Sequence, residues 1–491
     1  MKKSYLMIAA AVAMFTACQE TDTFREINTQ QENKAIGFKT FTTKQTRAEN
    51  SGETNYNALE AYNTTFRVWG NKYINKGQKD DQQNIVYEVT PVFGGTDFAG
   101  EKVEYKTTPV SDLIGNWDYD PIRFWDKTAT KYDFYAASPF IPKNASGDDV
   151  IWQFKNTNKT ISLGSFTVSG INRVTTGTNG EAALSVTTSL DKAAVMSYNQ
   201  EDLMIATDIP EYTDYAYSTY TTGVNLQFNH VLSRLNVAIR KKSPDLDAYT
   251  VKLNSFEINN MYNNGDFNEE RLTTETDLQA GTIARWQNRT TRFAPGDMKF
   301  IQDEALVISS TSATPGASYQ YIYEGLVIPQ NIGYSKTILV NESITGLDSY
   351  LYIDGSNVAN SGDAISNPYV VIDYEIWTKA IDAVPYTTEE LAALNAGKEE
   401  TDPDYLQEGA IKTPAVPEKK IDGYKYYFNL AEMFGATTNA GIDFCEGWQN
   451  TIKITLAPEA IKFDAEVAKW DEKFGENENE NPKTGTTVNI Q

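Results

Sequence analysis

The 491-residue sequence is poor in histidine, cysteine and positive charge, and each shortage removes a class of function. Its single histidine, His230, excludes a two-histidine metal site and an H-E-x-x-H helix. It also leaves one candidate base for any Ser–His or Cys–His mechanism. Against 66 Asp+Glu there are 43 Lys+Arg, a net charge of −23, and a field of that sign repels phosphate backbones and argues against a nucleic-acid partner. No apolar run approaches the ~20 residues that a membrane-spanning helix needs. Helical periodicity is confined to short stretches near 108–113, 201–204 and 388–396, and no internal repeat has a fixed period.

What is present favours strands. Aromatics make up 12% of the chain (29 Tyr, 22 Phe, 8 Trp), while 40% hydrophobic and 22% charged residues fit a folded globular protein. Short alternating segments recur: Thr65–Trp69, Ile85–Val89, Lys131–Ala136, Val224–His230, Leu235–Ile239, Tyr321–Ile328, Tyr369–Trp377 and Ile452–Leu456. Clusters of Asn, Gly, Asp and Pro separate them, as in residues 144–149. Many short strands between turn signals predict an all-β chain of sandwiches, not a parallel α/β sheet. The Tyr/Thr-rich tract 211–222 marks the boundary between a first domain, 48–220, and a second, 221–475. Residues 388–420, charged and carrying three prolines, read as an insertion in the second domain. Residues 476–483 read as a solvated tether before a strand-like terminus in which Val488 and Ile490 share a face.

The first residues set the destination. Lys2 and Lys3 precede an apolar run of roughly a dozen residues, 6–17, and then Cys18, the pattern of a secretory signal. Phe15-Thr16-Ala17-Cys18 resembles a lipobox, in which the cysteine is lipidated and begins the mature chain. With Cys18 acylated, Cys445 is the remaining thiol and no intramolecular disulfide forms. Gln19 carries no inner-membrane retention signal, which favours the outer membrane. Within the polar stretch 19–55, Ile36 and Phe38 alternate like a short strand, followed by a basic and then small, polar connection open to proteases.

Chemical motifs are few. Gly94–Gly100 fits neither a P-loop nor a dinucleotide fingerprint. Asn263-Asn264-Gly265-Asp266 lacks EF-hand spacing and reads as a hairpin turn. His230 lies in a strand pattern and reads as a structural histidine. Cys445 reads as a small buried residue. Carboxylates are plentiful, but no spacing singles out a glycosidase pair. No cofactor, metal or catalytic residue is expected.

Several segments, in order, resemble the fimbrillin family, the type V pilin subunits of Gram-negative anaerobes. They are the lipobox with Ile36-x-Phe38 and Thr46-Arg47-Ala48; Trp117-Asp118-Tyr119 with Phe124-Trp125-Asp126 and the run Tyr132–Pro139; Leu226-x-Phe228-x-His230-x-Leu232-Ser233-Arg234-Leu235; Leu326–Gln330; and Phe463-x-x-x-Val467-x-x-Trp470. The resemblance implies two β-sandwich domains of Greek-key, transthyretin-like kind and a non-enzymatic fimbrium subunit serving adhesion. It implies lipidation at Cys18, a removable strand bearing Ile36 and Phe38, and cleavage between Arg47 and Ala48. Val488 and Ile490 become the candidate donor strand for a neighbour. The partners implied are other pilin subunits, the outer membrane through the Cys18 lipid before processing, and a host or glycan ligand. Loss of residues 1–47, with seven Lys/Arg and four Asp/Glu, leaves 36 against 62 and a net charge of −26. The reading from another class is a surface glycan-binding outer-membrane lipoprotein, with Trp117, Trp125 and Trp448 as stacking platforms.

Overall fold

A computed structural model describes residues 34–42, 59, 63–95, 99–108, 115–174, 200–207, 212–213, 223–271, 282–294, 297–308, 319–334, 353–354, 357–358, 367–438, 440–457, 461–469 and 488–489. The described chain is all-β apart from short helices. It divides into two compact units whose segments interleave. Unit 1 takes Met1–Phe166, Glu201–Val231 and Asp266–Asp277; unit 2 takes Thr167–Gln200, Leu232–Gly265 and Leu278–Gln491. The chain therefore does not change unit at 220/221, because Val224–His230 completes the first unit's sheet.

In unit 1 the strands are β1 (Phe38–Thr42), β2 (Thr65–Lys79), β3 (Ile85–Phe93), β4 (Glu101–Tyr105), β5 (Trp117–Asp118), β6 (Lys131–Ser138), β7 (Trp152–Lys155), β8 (Thr160–Thr167), β9 (Met204–Ala206) and β10 (Val224–His230). The main sheet runs β1-β10-β9-β6-β2-β4-β5, with β3 and the short strand Tyr212–Thr213 attached to β2 and β6. Period-two alternation gives this sheet two buried faces. Phe66, Tyr132 and Phe134 point to one face. Trp69 and Tyr135, a register pair, point to the other and pack on Phe154 of the β7–β8 hairpin, with ring centroids 5.3 and 4.9 Å away. The expected helical stretch at 201–204 instead runs into β9, since Leu203, Met204 and Ile205 are all buried and leave no polar helix face.

Unit 2 holds two five-stranded sheets. The first comprises β11 (Ser233–Lys241), β14 (Gln320–Val327), β17 (Trp448–Leu456), β18 (Ile461–Lys469) and β19 (Val488–Asn489), in the order β14-β11-β17-β18-β19. Its inner strand β11 runs parallel to β17 over eight register pairs and is buried at eight of its nine positions, as a strand covered on both faces must be. The second sheet contains β12 (Tyr249–Asn259), β13 (Met298–Val307), β15 (Tyr369–Thr378) and β16 (Lys420–Asn429), ordered β16-β15-β12-β13 and edged by Ile171–Val174. The Tyr374 hydroxyl of β15 reaches the Ala457 carbonyl just past β17, at 3.4 Å.

The expected insertion is an extension of the β15–β16 ribbon. Ile381 and Val416 exchange both backbone hydrogen bonds, and helix α1 (Thr388–Leu394) sits beyond them with a Thr387/Glu390 capping box. The expected hairpin turn at 263–266 is wrong: Asn264–Asn268 is a strand. The Asn264 side chain is spent on Thr290 and Thr291, accepting from both backbone N–H groups at 2.9 and 2.8 Å, and so does not close a turn on itself.

Candidate functional site

The N-terminal segment is built into the core of unit 1. Residues 34–36 run antiparallel to 123–125: Trp125 N–H donates to the Lys34 carbonyl at 3.0 Å and Ile36 N–H to the Arg123 carbonyl at 2.9 Å. The chain then crosses at Gly37, whose carbonyl accepts from Val224 N–H at 2.7 Å. From there β1 lies parallel to β10, in register from Phe38↔Val224 to Thr42↔Phe228. The crossing is tight. Gly223 has φ +75°, and a Cβ there would stand 2.9 Å from the Gly37 carbonyl oxygen, so glycine is required on both counts.

Alternation along this segment decides what is buried. Ile36, Phe38 and Thr40 are inward, and Lys39 is exposed. The Phe38 ring enters an aromatic cage edge-on, with centroids 5.4 Å from Phe93, 5.7 Å from Phe66 and Tyr119, and 6.4 Å from Phe134. Edge-to-face contact is the favoured arrangement for such rings. The cage continues outward through Phe66 to Trp117 and Phe228. Tyr119 adds a polar contact, its hydroxyl donating to the Ile36 carbonyl at 2.7 Å and lying 3.2 Å from the Arg123 carbonyl. Burial pushes the Tyr119 phenol well above its ordinary pKa, so it stays a neutral donor. Arg123 fixes the opposing edge through both oxygens of Glu101, each at 3.2 Å.

Among the described residues, β1 is the strand paired to β10 over 224–228, while β9 pairs with β10 only at 229–230. Taking away residues 34–42 would leave Phe66, Phe93, Phe134 and Phe228 lining an apolar groove and the edge of β10 without its partner. An uncovered groove and edge of this kind invite another strand.

At the far end of β10, His230 Nδ1 lies 2.8 Å from Asp202 Oδ2, both side chains almost fully buried, and Asn63 donates to the Asp202 carbonyl at 2.8 Å. This clamp holds β10 to the chain entering β9, the structural role read from the sequence. The tryptophans offered as sugar platforms are placed otherwise. Trp117 and Trp125 are core residues, each 4% exposed, and Trp448 is half-buried within β17. Cys445 is half-buried, not fully enclosed as expected, with its thiol near the Asp443 carbonyl. No group of three or more His, Cys, Asp or Glu able to hold a metal ion occurs among the described residues.

Of the residues singled out in the sequence, Ile36 and Phe38 meet in this site. Val488 lies elsewhere, in unit 2, where β19 pairs with β18 through two register pairs, Phe463↔Val488 and Lys462↔Asn489. Cys18, Arg47, Ala48 and Ile490 lie outside the described residues. Phe66, Phe93, Tyr119 and Phe134 were not foreseen as the receptor. The Trp117-Asp118-Tyr119 signal marked part of it without showing what it receives.

Residues 46–362 match the family model described as fimbrillin-like. No curated protein matches the chain. Among solved structures, the chain is similar to a fimbrial protein from Bacteroides vulgatus, with 14% identity, 89% of this chain and 99% of that one covered, and a TM-score of 0.36. It is also similar to the tip fimbrial protein Mfa3 from Porphyromonas gingivalis with C-terminal truncation, with 8% identity, 83% and 95% covered, and a TM-score of 0.26.

Proposed function

The chain belongs to the fimbrillin-like family, and on that footing we propose that it is a structural subunit of a surface fimbrium that polymerises by exchanging β1 for a neighbour's strand. The precursor is exported as a lipoprotein anchored to the outer membrane through Cys18, cut between Arg47 and Ala48, and released with its groove open. Removing 1–47 takes the lipid and β1 away together. The supporting observation is the position of residues 34–42: Ile36 and Phe38 fill the core about ten residues before Arg47, and β1 follows as an edge strand parallel to β10.

The candidate donor is the C-terminal strand with Val488 and Ile490. Among the described residues it pairs with β18 through two register pairs, which it would give up to enter a neighbour's aromatic cage. Such a head-to-tail contact does not close on itself and grows a fibre. Burial contributes about 25 cal/mol per Å² of apolar surface at each junction, with the backbone ladder added to it.

The test uses lipid-free residues 19–491 treated with an Arg-specific protease. A new N-terminus at Ala48 with growing oligomers supports the reading, and deletion of 484–491 should then stop growth while leaving the subunit folded. A folded precursor that resists cleavage at Arg47, or that polymerises equally well without cleavage, contradicts it.

A further inference from the structure

The sheet face opposite the β1 site carries a polar cluster that strand exchange does not use. Asn71 on β2 and Asp133 on β6 are register partners and are 2% and 5% exposed. The Asn71 side-chain nitrogen donates to Asp133 Oδ1 at 2.8 Å and to Asn156 Oδ1 at 3.2 Å. The β7–β8 turn brings Lys159 to the same place. Its Nζ donates to Asn156 Oδ1 and stands 3.5 Å from Asp133 Oδ2. The Tyr73 hydroxyl donates to that same oxygen, and its ring lies 5.8 Å from Lys159 Nζ and 4.7 Å from Lys131 Nζ.

One carboxylate thus joins a lysine ammonium to the amide nitrogen of a buried asparagine. Burial pulls the Lys159 pKa down, and the neighbouring Lys131 charge adds to this against the upward pull of Asp133, so its proton is more readily surrendered. Lys159 also sits at φ +59°, a left-handed conformation that costs a residue with a Cβ about 1 kcal/mol or more. Glycine or asparagine would relieve that cost but would lose the amine.

We propose that Lys159 and Asn71 form an intramolecular isopeptide bond, with Asp133 moving the protons. Asp133 takes a proton from the Lys159 ammonium, and the neutral Nζ attacks Cγ of Asn71. The Nζ–Cγ bond forms as the Cγ–Nδ2 bond breaks. Asp133 delivers a proton to Nδ2 and receives the second proton from Nζ, then gives that proton to the departing ammonia. Ammonium leaves, Asp133 ends ionised as it began, and no oxidant or cofactor enters the balance. The amine and the amide belong to one chain, so no bimolecular encounter is needed; where reacting atoms are held in attack geometry, effective molarities reach roughly 10⁵ M or more. The product is a covalent tie between β2 and the β7–β8 turn, suited to a subunit that carries tension along a fibre.

Mass spectrometry of the purified full chain tests this. A lysine-specific digest should yield one branched peptide joining the Asn71 and Lys159 segments, about 17 Da lighter than its two parts because ammonia has been lost. Mapping the peptides makes the readout independent of processing at the N-terminus. Lys159→Arg, which keeps the charge, and Asp133→Ala should each return the separate peptides, with circular dichroism reporting that the sheets persist. Separate peptides from the folded wild-type protein would overturn the proposal. So would a branched peptide that survives Asp133→Ala, or one whose link maps to Asn156.

Discussion

Truncating Phe38 removes the side chain that fills the aromatic cage, and the cost follows from its surroundings. The ring is 4% exposed and touches Phe66, Phe93, Tyr119 and Phe134, all held by strands or hydrogen bonds that do not collapse inward. A Phe→Ala change at such a site loses its transfer free energy and leaves a cavity, together about 3–5 kcal/mol. Domains are stable by only about 5–15 kcal/mol, so unit 1 of the precursor should lose a large share of its margin. Lys39→Ala, one residue along and pointing to solvent, should change stability by less than about 0.5 kcal/mol. Urea unfolding of residues 19–491, followed by tryptophan fluorescence, separates the two, since Trp117 and Trp125 both lie in unit 1. The transition that unfolds unit 1 should shift for Phe38→Ala and stay for Lys39→Ala. Equal effects, or a Phe38→Ala loss below about 1 kcal/mol, would refute the claim that β1 completes the core.

Three further outcomes follow from the same geometry. Tyr119→Phe removes the hydrogen bond to the Ile36 carbonyl beside the longer ones with Arg123, so it should cost about 1 kcal/mol more in the precursor than once residues 1–47 are gone, as denaturant titration of both forms would report. Gly223→Ala meets both a positive φ and the Gly37 carbonyl, so it should destabilise by about 1–3 kcal/mol and speed hydrogen exchange at the β1–β10 ladder. At Asp126, burial pushes the carboxyl pKa up, but the hydrogen bonds from Lys72 (Nζ at 2.7 Å) and Thr128 outweigh it and hold the pKa at about 2, below the ordinary 3.8. A depressed acid stabilises the fold above its unfolded pKa. The contribution, about 1 kcal/mol after discounting for partial exposure, should therefore be present near neutrality and fade as pH falls from about 4 to 2. Asp126→Asn should flatten that limb of the stability profile.

Strands were legible in the sequence where period-two alternation was clean. Val224–His230 is a strand over the residues its pattern marks, and Ile36 with Phe38 stood out because alternating apolar residues inside a polar stretch need a core to enter. The receptor was far less legible. Phe66, Phe93, Tyr119 and Phe134 come from four separate segments, and only long-range register brings them around one ring. The parallel pairing of β1 with β10 was equally hidden, since alternation fixes which residues face inward and not which strand lies alongside. Interleaving of the two units defeated a boundary drawn from local composition: the Tyr/Thr-rich tract read as a domain boundary, yet the chain stays in unit 1 from Glu201 to Val231. At Asn264 the turn chemistry was real but was spent across strands on Thr290 and Thr291.

Central to the account is that the place held by residues 34–42 is the place a neighbouring subunit's strand takes in the fibre. Electron cryo-microscopy of filaments grown from the processed chain addresses this directly. The predicted density is a strand from an adjacent subunit lying parallel on β10, with an apolar side chain inside the cage of Phe66, Phe93, Tyr119 and Phe134. Filaments whose subunits still hold their own Ile36 and Phe38 in that cage, or whose groove is empty, would contradict it.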